Sequence, residues 1–149
     1  MESGTRLSLS EASSQLLNEC RMVLPGVQTL LGFQLIVVFQ PPFMDLSRGI
    51  QRLHLFAILC VVVAIALVMT PAALHRLREP MSVSRRFVRL SSSLLMWSMP
   101  PLAIGLACDV YIVATMITKA FVPSVIVAAV ALAFFAGFWF VLPWRARLE

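Results

Sequence analysis

Charged residues are scarce in this chain, and long stretches contain none. Only 13% of the 149 residues are Asp, Glu, Lys or Arg, 60% are hydrophobic, and the mean hydropathy is +0.90. A small soluble domain could not bury so much apolar surface in its core. The composition therefore excludes a soluble globular protein and indicates an integral membrane protein.

The sequence also lacks the motifs of familiar catalytic and ligand sites. It has no Gly-rich phosphate loop, no H-E-x-x-H, no G-x-S-x-G, and no C-x-x-C pair among its three cysteines. Its eight methionines are interpreted as apolar filling, since no Cys or His pattern accompanies them. No nucleophile–base pair is recognisable. We therefore expect no cofactor, no metal and no enzyme activity.

What the chain does contain is four apolar stretches of about bilayer length. A hydrocarbon core of roughly 30 Å needs about 20 helical residues. The predicted spans cover about 22–41, 53–74, 88–112 and 121–142. Too few residues remain for a soluble domain. The sequence thus predicts one all-α domain over 1–149, an integral membrane four-helix bundle.

Polar residues are distributed unequally among these spans. Span two contains no charge except His54 near its start, and span four contains none. Span one is interrupted by three glutamines, Gln28, Gln34 and Gln40. Span three carries Pro100-Pro101, which removes two helical donors. The favoured interpretation of this pair is a packed kink, and the alternative is a hinge.

The N-terminal segment has the pattern of a helix that begins at the membrane surface. Ser8 and Glu11 have the spacing of a capping box. Apolar residues then recur at helical intervals, which predicts an amphipathic lead-in helix over 8–21. Because no apolar h-region precedes it, we expect no cleavable signal peptide.

The basic residues predict the orientation. Nine of the twelve fall on one side of the predicted membrane, namely Arg6, Arg21, Arg76, Arg78, Arg85, Arg86, Arg89, Arg145 and Arg147, against Arg48, Arg52 and Lys119. The positive-inside rule then makes both termini and the central loop cytoplasmic in a bacterial inner membrane. The alternative has three spans, with segment one on the surface and the N-terminus outside. The expected partner is the bilayer, including anionic headgroups at the cytoplasmic face, and not nucleic acid.

Several short motifs resemble those of a family of small bacterial four-span membrane proteins of unknown function. They are Leu17-Asn18-Glu19 with Arg21, Pro25-Gly26-Val27-Gln28, Pro71-x-x-x-His75-Arg76 and the ending Phe138–Pro143. The resemblance covers about residues 15–143. It implies a four-helix inner-membrane protein and no particular activity. Pro100-Pro101 is not part of the resemblance.

Five polar residues form the candidate functional cluster at the predicted cytoplasmic face: Glu19, Arg21, Gln28, His75 and Arg76. One interpretation is an ion pair of Glu19 with Arg21 or Arg76. The other is a basic pocket for a lipid phosphate or an anionic substrate, with His75 titrating near neutral pH. The strip from Arg21 to Gln28 either packs against another helix or lines a narrow aqueous path.

Asp109 is a secondary candidate at the opposite face. With Lys119 as a partner it would be an interfacial cap. If span three continues to Ile117, Asp109 lies within the membrane and becomes a candidate functional residue.

The sequence leaves three functions open. The favoured one is a non-enzymatic structural or accessory membrane protein. The alternative is an oligomeric ion or small-solute channel or transporter that uses the Glu19, Arg21, His75 and Arg76 cluster. Third is an enzyme or carrier acting on anionic lipid. Small-residue stripes at Ala129, Ala133 and Gly137, and at Ala103 and Ala107, could serve either the bundle or a homo-oligomer.

Overall fold

The computed structural model describes residues 8–78 and 84–145. The helices are α1 (Leu9–Val37), the short α2 (Pro41–Met44), α3 (Arg48–Arg78), α4 (Arg85–Thr118), α5 (Phe121–Ala136) and α6 (Leu142–Arg145), with a π-helical segment Gly137–Val141 joining the last two. The described residues contain no strand, which confirms the predicted all-α class. Arg6 and Arg147 of the orientation argument lie outside the described residues.

Within the described residues, four helical segments are long and apolar enough to cross a membrane: Leu9–Val37, Arg48–Leu77, Arg85–Thr118 and Phe121–Arg145. α4 is central, since it packs against α3, α5 and α1. At one end, where α1 and α4 begin and α3 ends, the His75 ring meets the Phe87 ring edge-on with centroids 5.6 Å apart. We call this the basic end, because it carries Arg21 and Arg76. The turns between α4 and α5 and around α2 lie at the opposite end.

α1 begins as the sequence predicts and continues without a break into the first span. The Ser8 hydroxyl accepts a hydrogen bond from the Glu11 amide, and the Glu11 carboxylate accepts one from the Ser8 amide, which confirms the capping box. Pro25 lies inside this helix, with the Thr29 hydroxyl donating to the Pro25 carbonyl. The lead-in and span one are therefore one helix of 29 residues.

α4 also remains helical through its double proline. The Ser98 hydroxyl donates to the Leu95 carbonyl at 2.6 Å, just before Pro100-Pro101. This satisfies a carbonyl next to the two that the prolines leave without helical partners. The Ser98 hydroxyl therefore lies beside the double proline, although it does not reach the carbonyls of Met96 or Trp97.

The closest helix packing joins α3 and α4 through small residues. A Cβ atom on Gly105 would lie 3.1 Å from Val61 Cγ2 and 3.2 Å from the Ala57 carbonyl oxygen. Ala57 and Val61 are fully buried. Ala103 and Ala107, which form the predicted small-residue stripe of span three, are nearly fully buried. Close backbone approach is how packing energy is gained where lipid is as apolar as leucine. The α5 stripe differs, because Ala129 and Ala133 are exposed and a Cβ atom on Gly137 would have no neighbour within 4 Å.

Gly105→Leu should therefore destabilise the bundle strongly. The added side chain has no room against Val61 and the Ala57 backbone, and overpacking of this kind costs about 1–3 kcal/mol or more. The measurement is the helical CD signal during unfolding of purified protein in mixed micelles of increasing SDS content. Gly32→Leu is the matched control, since nothing lies within 4 Å of a Cβ at Gly32. Equal unfolding midpoints for the two variants would contradict the close approach.

A two-residue turn joins α4 to α5. Lys119 ends α4 in the left-handed conformation, with φ 51°, and its amide donates to the Thr115 carbonyl. The Thr118 hydroxyl lies 3.1 Å from the Ser124 hydroxyl, and Ser124 is fully buried. The two helices are therefore tied together directly at their turn.

Candidate functional site

Three polar side chains meet at the opposite end of the bundle, each from a different helix. Gln34 lies in the last turn of α1, His54 in the second turn of α3, and Asp109 about two and a half turns before the end of α4. The Gln34 amide Nε2 donates to Asp109 Oδ2 at 2.7 Å. His54 Nδ1 lies 3.7 Å from Asp109 Oδ1. We call these three residues the Gln34–His54–Asp109 cluster.

The other nitrogen of His54 binds the end of α1. His54 Nε2 lies 2.9 Å from the Gln34 carbonyl oxygen. The last four carbonyls of a helix have no partner within it. The Val38 amide, which would otherwise reach the Gln34 carbonyl, donates to the Ile36 carbonyl instead. His54 therefore satisfies a terminal carbonyl of α1, and the Phe43 ring holds the imidazole edge-on at 5.2 Å between centroids.

The His54 contacts indicate the position of one hydrogen and leave a place for a second. A carbonyl oxygen only accepts, so His54 Nε2 must carry the hydrogen. In a neutral imidazole Nδ1 then has a lone pair, which faces the Asp109 carboxyl group. A lone pair opposite a carboxylate is repulsive. One proton, on Nδ1 or on the carboxyl, converts this repulsion into attraction, so the cluster has a place for one exchangeable proton.

Gln34 leaves an acceptor without a partner. Its side chain is only 3% exposed and its Oε1 atom has no hydrogen-bond partner, while Nε2 is bound to Asp109. A buried polar atom without a partner costs about 1–3 kcal/mol. Such an atom is common where a ligand or water completes the site.

A cavity of about 480 Å³ adjoins the cluster. Gln34, His54, Asp109 and Gln40 are its polar lining residues, and its other walls are apolar, including Phe33, Phe43, Leu30, Val37, Ile112, Val113 and Met116. The volume is in the range of small-molecule sites, which combine apolar walls with a few convergent polar groups. The arrangement can hold a small, largely apolar molecule with a hydrogen-bond donor.

The predicted cytoplasmic-face cluster is divided between two cavities. Arg21, His75 and Arg76 line a common groove between α1 and α3. Glu19 faces a different cavity, beside Ser92 of α4 and Trp144. Among the described residues Glu19 has no ion pair within 4.0 Å, so the proposed pairing with Arg21 or Arg76 does not form. Gln28 is exposed on the surface of α1, outside both cavities.

Asp109 lies inside α4 and does not form the predicted cap with Lys119. α4 continues past Ile117 to Thr118, so Asp109 lies well inside the helix. Its partners are Gln34 and His54, whereas Lys119 is exposed at the turn. The sequence places His54 and Asp109 on the same side of the membrane without joining them. The available signal was a polar residue at similar depth in each of three spans, although Gln34 is one of three glutamines in span one.

Four membrane-length helices with a polar cluster between them define a multi-pass membrane protein. The chain belongs to a family of unknown function (DUF6328), whose model matches residues 9–143. This confirms the resemblance found in the sequence. Neither a curated protein nor a solved structure matches the chain.

Proposed function

We propose that this is a non-enzymatic protein of the bacterial inner membrane that binds a small lipophilic amine in exchange for a proton. The single observation that carries the proposal is the Gln34–His54–Asp109 cluster beside its apolar cavity. Ionisable residues between membrane helices are expensive and mark binding or proton pathways more often than structure alone. Both termini are proposed to be cytoplasmic.

The chemistry of the cavity favours an amine. Asp109 supplies a carboxylate and Gln34 supplies an unpartnered acceptor, so both can accept hydrogen bonds from an ammonium group. Apolar walls such as Phe33 and Met116 suit a hydrophobic body. An amine with a lipophilic body satisfies both requirements.

Binding should displace the cluster proton. With the proton present, the His54 and Asp109 pair is neutral overall; without it, the pair carries one negative charge. A positive amine is attracted to the second state, so one proton leaves as one ammonium enters. The other titratable groups near this level are Cys108 and Tyr111 of α4; α1 adds none, and Asp45, Arg48 and Arg52 are exposed.

The test is binding of the fluorescent amine 9-aminoacridine to the full-length purified protein in weakly buffered detergent, with a pH dye present. We expect up to one proton released per amine bound, and tighter binding as pH rises while the amine stays charged. Asp109→Asn should weaken binding about 10- to 100-fold, because it removes a charged hydrogen-bond acceptor. Gln34→Leu should weaken it roughly tenfold.

Gln28→Leu is the matched control, since it removes the same polar group from the exposed face of the same helix. It should leave amine affinity unchanged. The proposal fails if 9-aminoacridine does not bind, if Asp109→Asn binds it as well as the unmodified protein, or if binding releases no proton at any pH.

A further inference from the structure

A second site lies at the basic end, independent of the amine cavity. Arg21 of α1 and Arg76 of α3 line a groove of about 330 Å³, with His75 beside them. Along α3, 21 residues separate His75 from His54, which is about 32 Å of helix and close to the thickness of the hydrocarbon core. The two sites therefore lie at opposite faces of the membrane.

The groove concentrates positive charge that no carboxylate of the described residues 8–78 and 84–145 balances. Arg21 and Arg76 are exposed, and among the described residues neither forms an ion pair within 4.0 Å. In the part of the chain that the structure describes, no Asp or Glu lines the groove, and Glu19 faces the cavity on the α4 side of α1. Two guanidinium groups and an imidazole thus face one opening.

The rest of the groove is apolar. Leu24, Val68 and Met69 extend from the arginines toward the middle of the helices, and Met69 is 44% exposed on the surface that lipid would cover. The occupant must therefore carry negative charge at one end and hydrocarbon beside it. The groove volume suits a phosphate with its glycerol, and acyl chains would lie outside along the helices.

We propose that this groove binds the headgroup phosphate of one anionic phospholipid. Arg21 and Arg76 would clamp the phosphate oxygens, since guanidinium groups form paired hydrogen bonds with phosphate. His75 is held in position by the buried Phe87 ring on its α4 side and adds a further donor. Leu24 and Met69 contact the start of an acyl chain. The bilayer itself supplies this partner.

The experiment titrates purified full-length protein in neutral detergent with phosphatidylglycerol or with phosphatidylcholine of the same chains. The dissociation constant comes from the rise in unfolding temperature, since a ligand of the folded state stabilises it by mass action. Phosphatidylglycerol should stabilise the protein and phosphatidylcholine should not. The double variant Arg21→Gln, Arg76→Gln should bind phosphatidylglycerol about 25-fold more weakly, roughly fivefold for each arginine near the surface.

The matched control is Arg48→Gln with Arg52→Gln, which removes two exposed arginines at the opposite end and the same net charge. It should keep the original affinity; an equal loss would show diffuse charge attraction and overturn the site. Soluble glycerol phosphate should fail to saturate the protein at concentrations where the lipid does, and equal affinity would make this a site for free anions instead.

The double variant Arg21→Lys, Arg76→Lys preserves the charge and replaces the Gln pair if that pair unfolds. The affinity of this Lys variant for phosphatidylglycerol should be lower than that of the original protein but still measurable. An unchanged affinity would contradict the paired hydrogen bonds of the two arginines.

Discussion

Asp109→Leu should destabilise the protein by about 3 kcal/mol, as expected when one partner of a buried polar cluster is removed. The substitution leaves the Gln34 amide without its 2.7 Å acceptor and removes the carboxyl group that lies 3.7 Å from His54 Nδ1. Both side chains are at most 4% exposed, so each is left with a buried polar group that has lost its partner. The unfolding midpoint in SDS mixed micelles, followed by CD, measures the loss.

Removing the whole cluster should be less harmful than removing one member. In the triple variant Gln34→Leu, His54→Leu, Asp109→Leu no buried side-chain donor is left unpaired, and apolar replacements of buried polar groups are often neutral. We expect at least half of the lost stability to return, while 9-aminoacridine binding is absent. If the triple variant is as unstable as Asp109→Leu, the cluster contributes through shape and not through its hydrogen bonds.

Labelling of single cysteines should give a nearly all-or-none result for orientation. Cys20, Cys60 and Cys108 are first replaced by Ala, and a cysteine is then introduced at Ser47 or at Ser14. Both serines are exposed, and they lie toward opposite ends of the bundle. A membrane-impermeant maleimide should label Ser47→Cys in intact cells but reach Ser14→Cys only after permeabilisation, because the positive-inside rule keeps the basic end inside.

The labelling separates the alternatives that the sequence left open. Three spans with the N-terminus outside would expose Ser14→Cys in intact cells. Total labelling in detergent provides the control for reactivity, since both cysteines should then react to the same extent. Labelling of Ser14→Cys alone in intact cells would reverse the proposed topology and would move the amine cavity to the cytoplasmic face.

Hydropathy predicted the helices well because membrane crossing imposes a length on every apolar segment. Their ends were less predictable. α1 runs unbroken from Leu9, since Pro25 removes only one helical donor and Thr29 binds a nearby carbonyl. α4 runs to Thr118, since Asp109 finds partners on two other helices and does not need to reach water.

The candidate sites could not be predicted from the positions of the spans alone. Which face of each helix turns inward is set by packing, such as the approach of Gly105 to Ala57. That rotation brings His54 to Asp109 and turns Glu19 away from Arg76 of α3. The depth of each residue along its span could be predicted from the sequence, so the grouping of Arg21 with His75 and Arg76 was predictable. The rotation of the helices about their own axes was not.

The turn at Lys119 has a consequence for how the chain enters the membrane. Only Lys119 and Ala120 lie between α4 and α5, and the Thr118 hydroxyl contacts that of Ser124. Because the connection is so short, the two helices cannot insert into the membrane independently. They must cross as a helical hairpin whose tip carries one basic side chain. In the proposed orientation α5 then arrives already attached to α4, the helix against which it packs. Lengthening this turn would uncouple their insertion and allow α5 of one copy to pair with α4 of another.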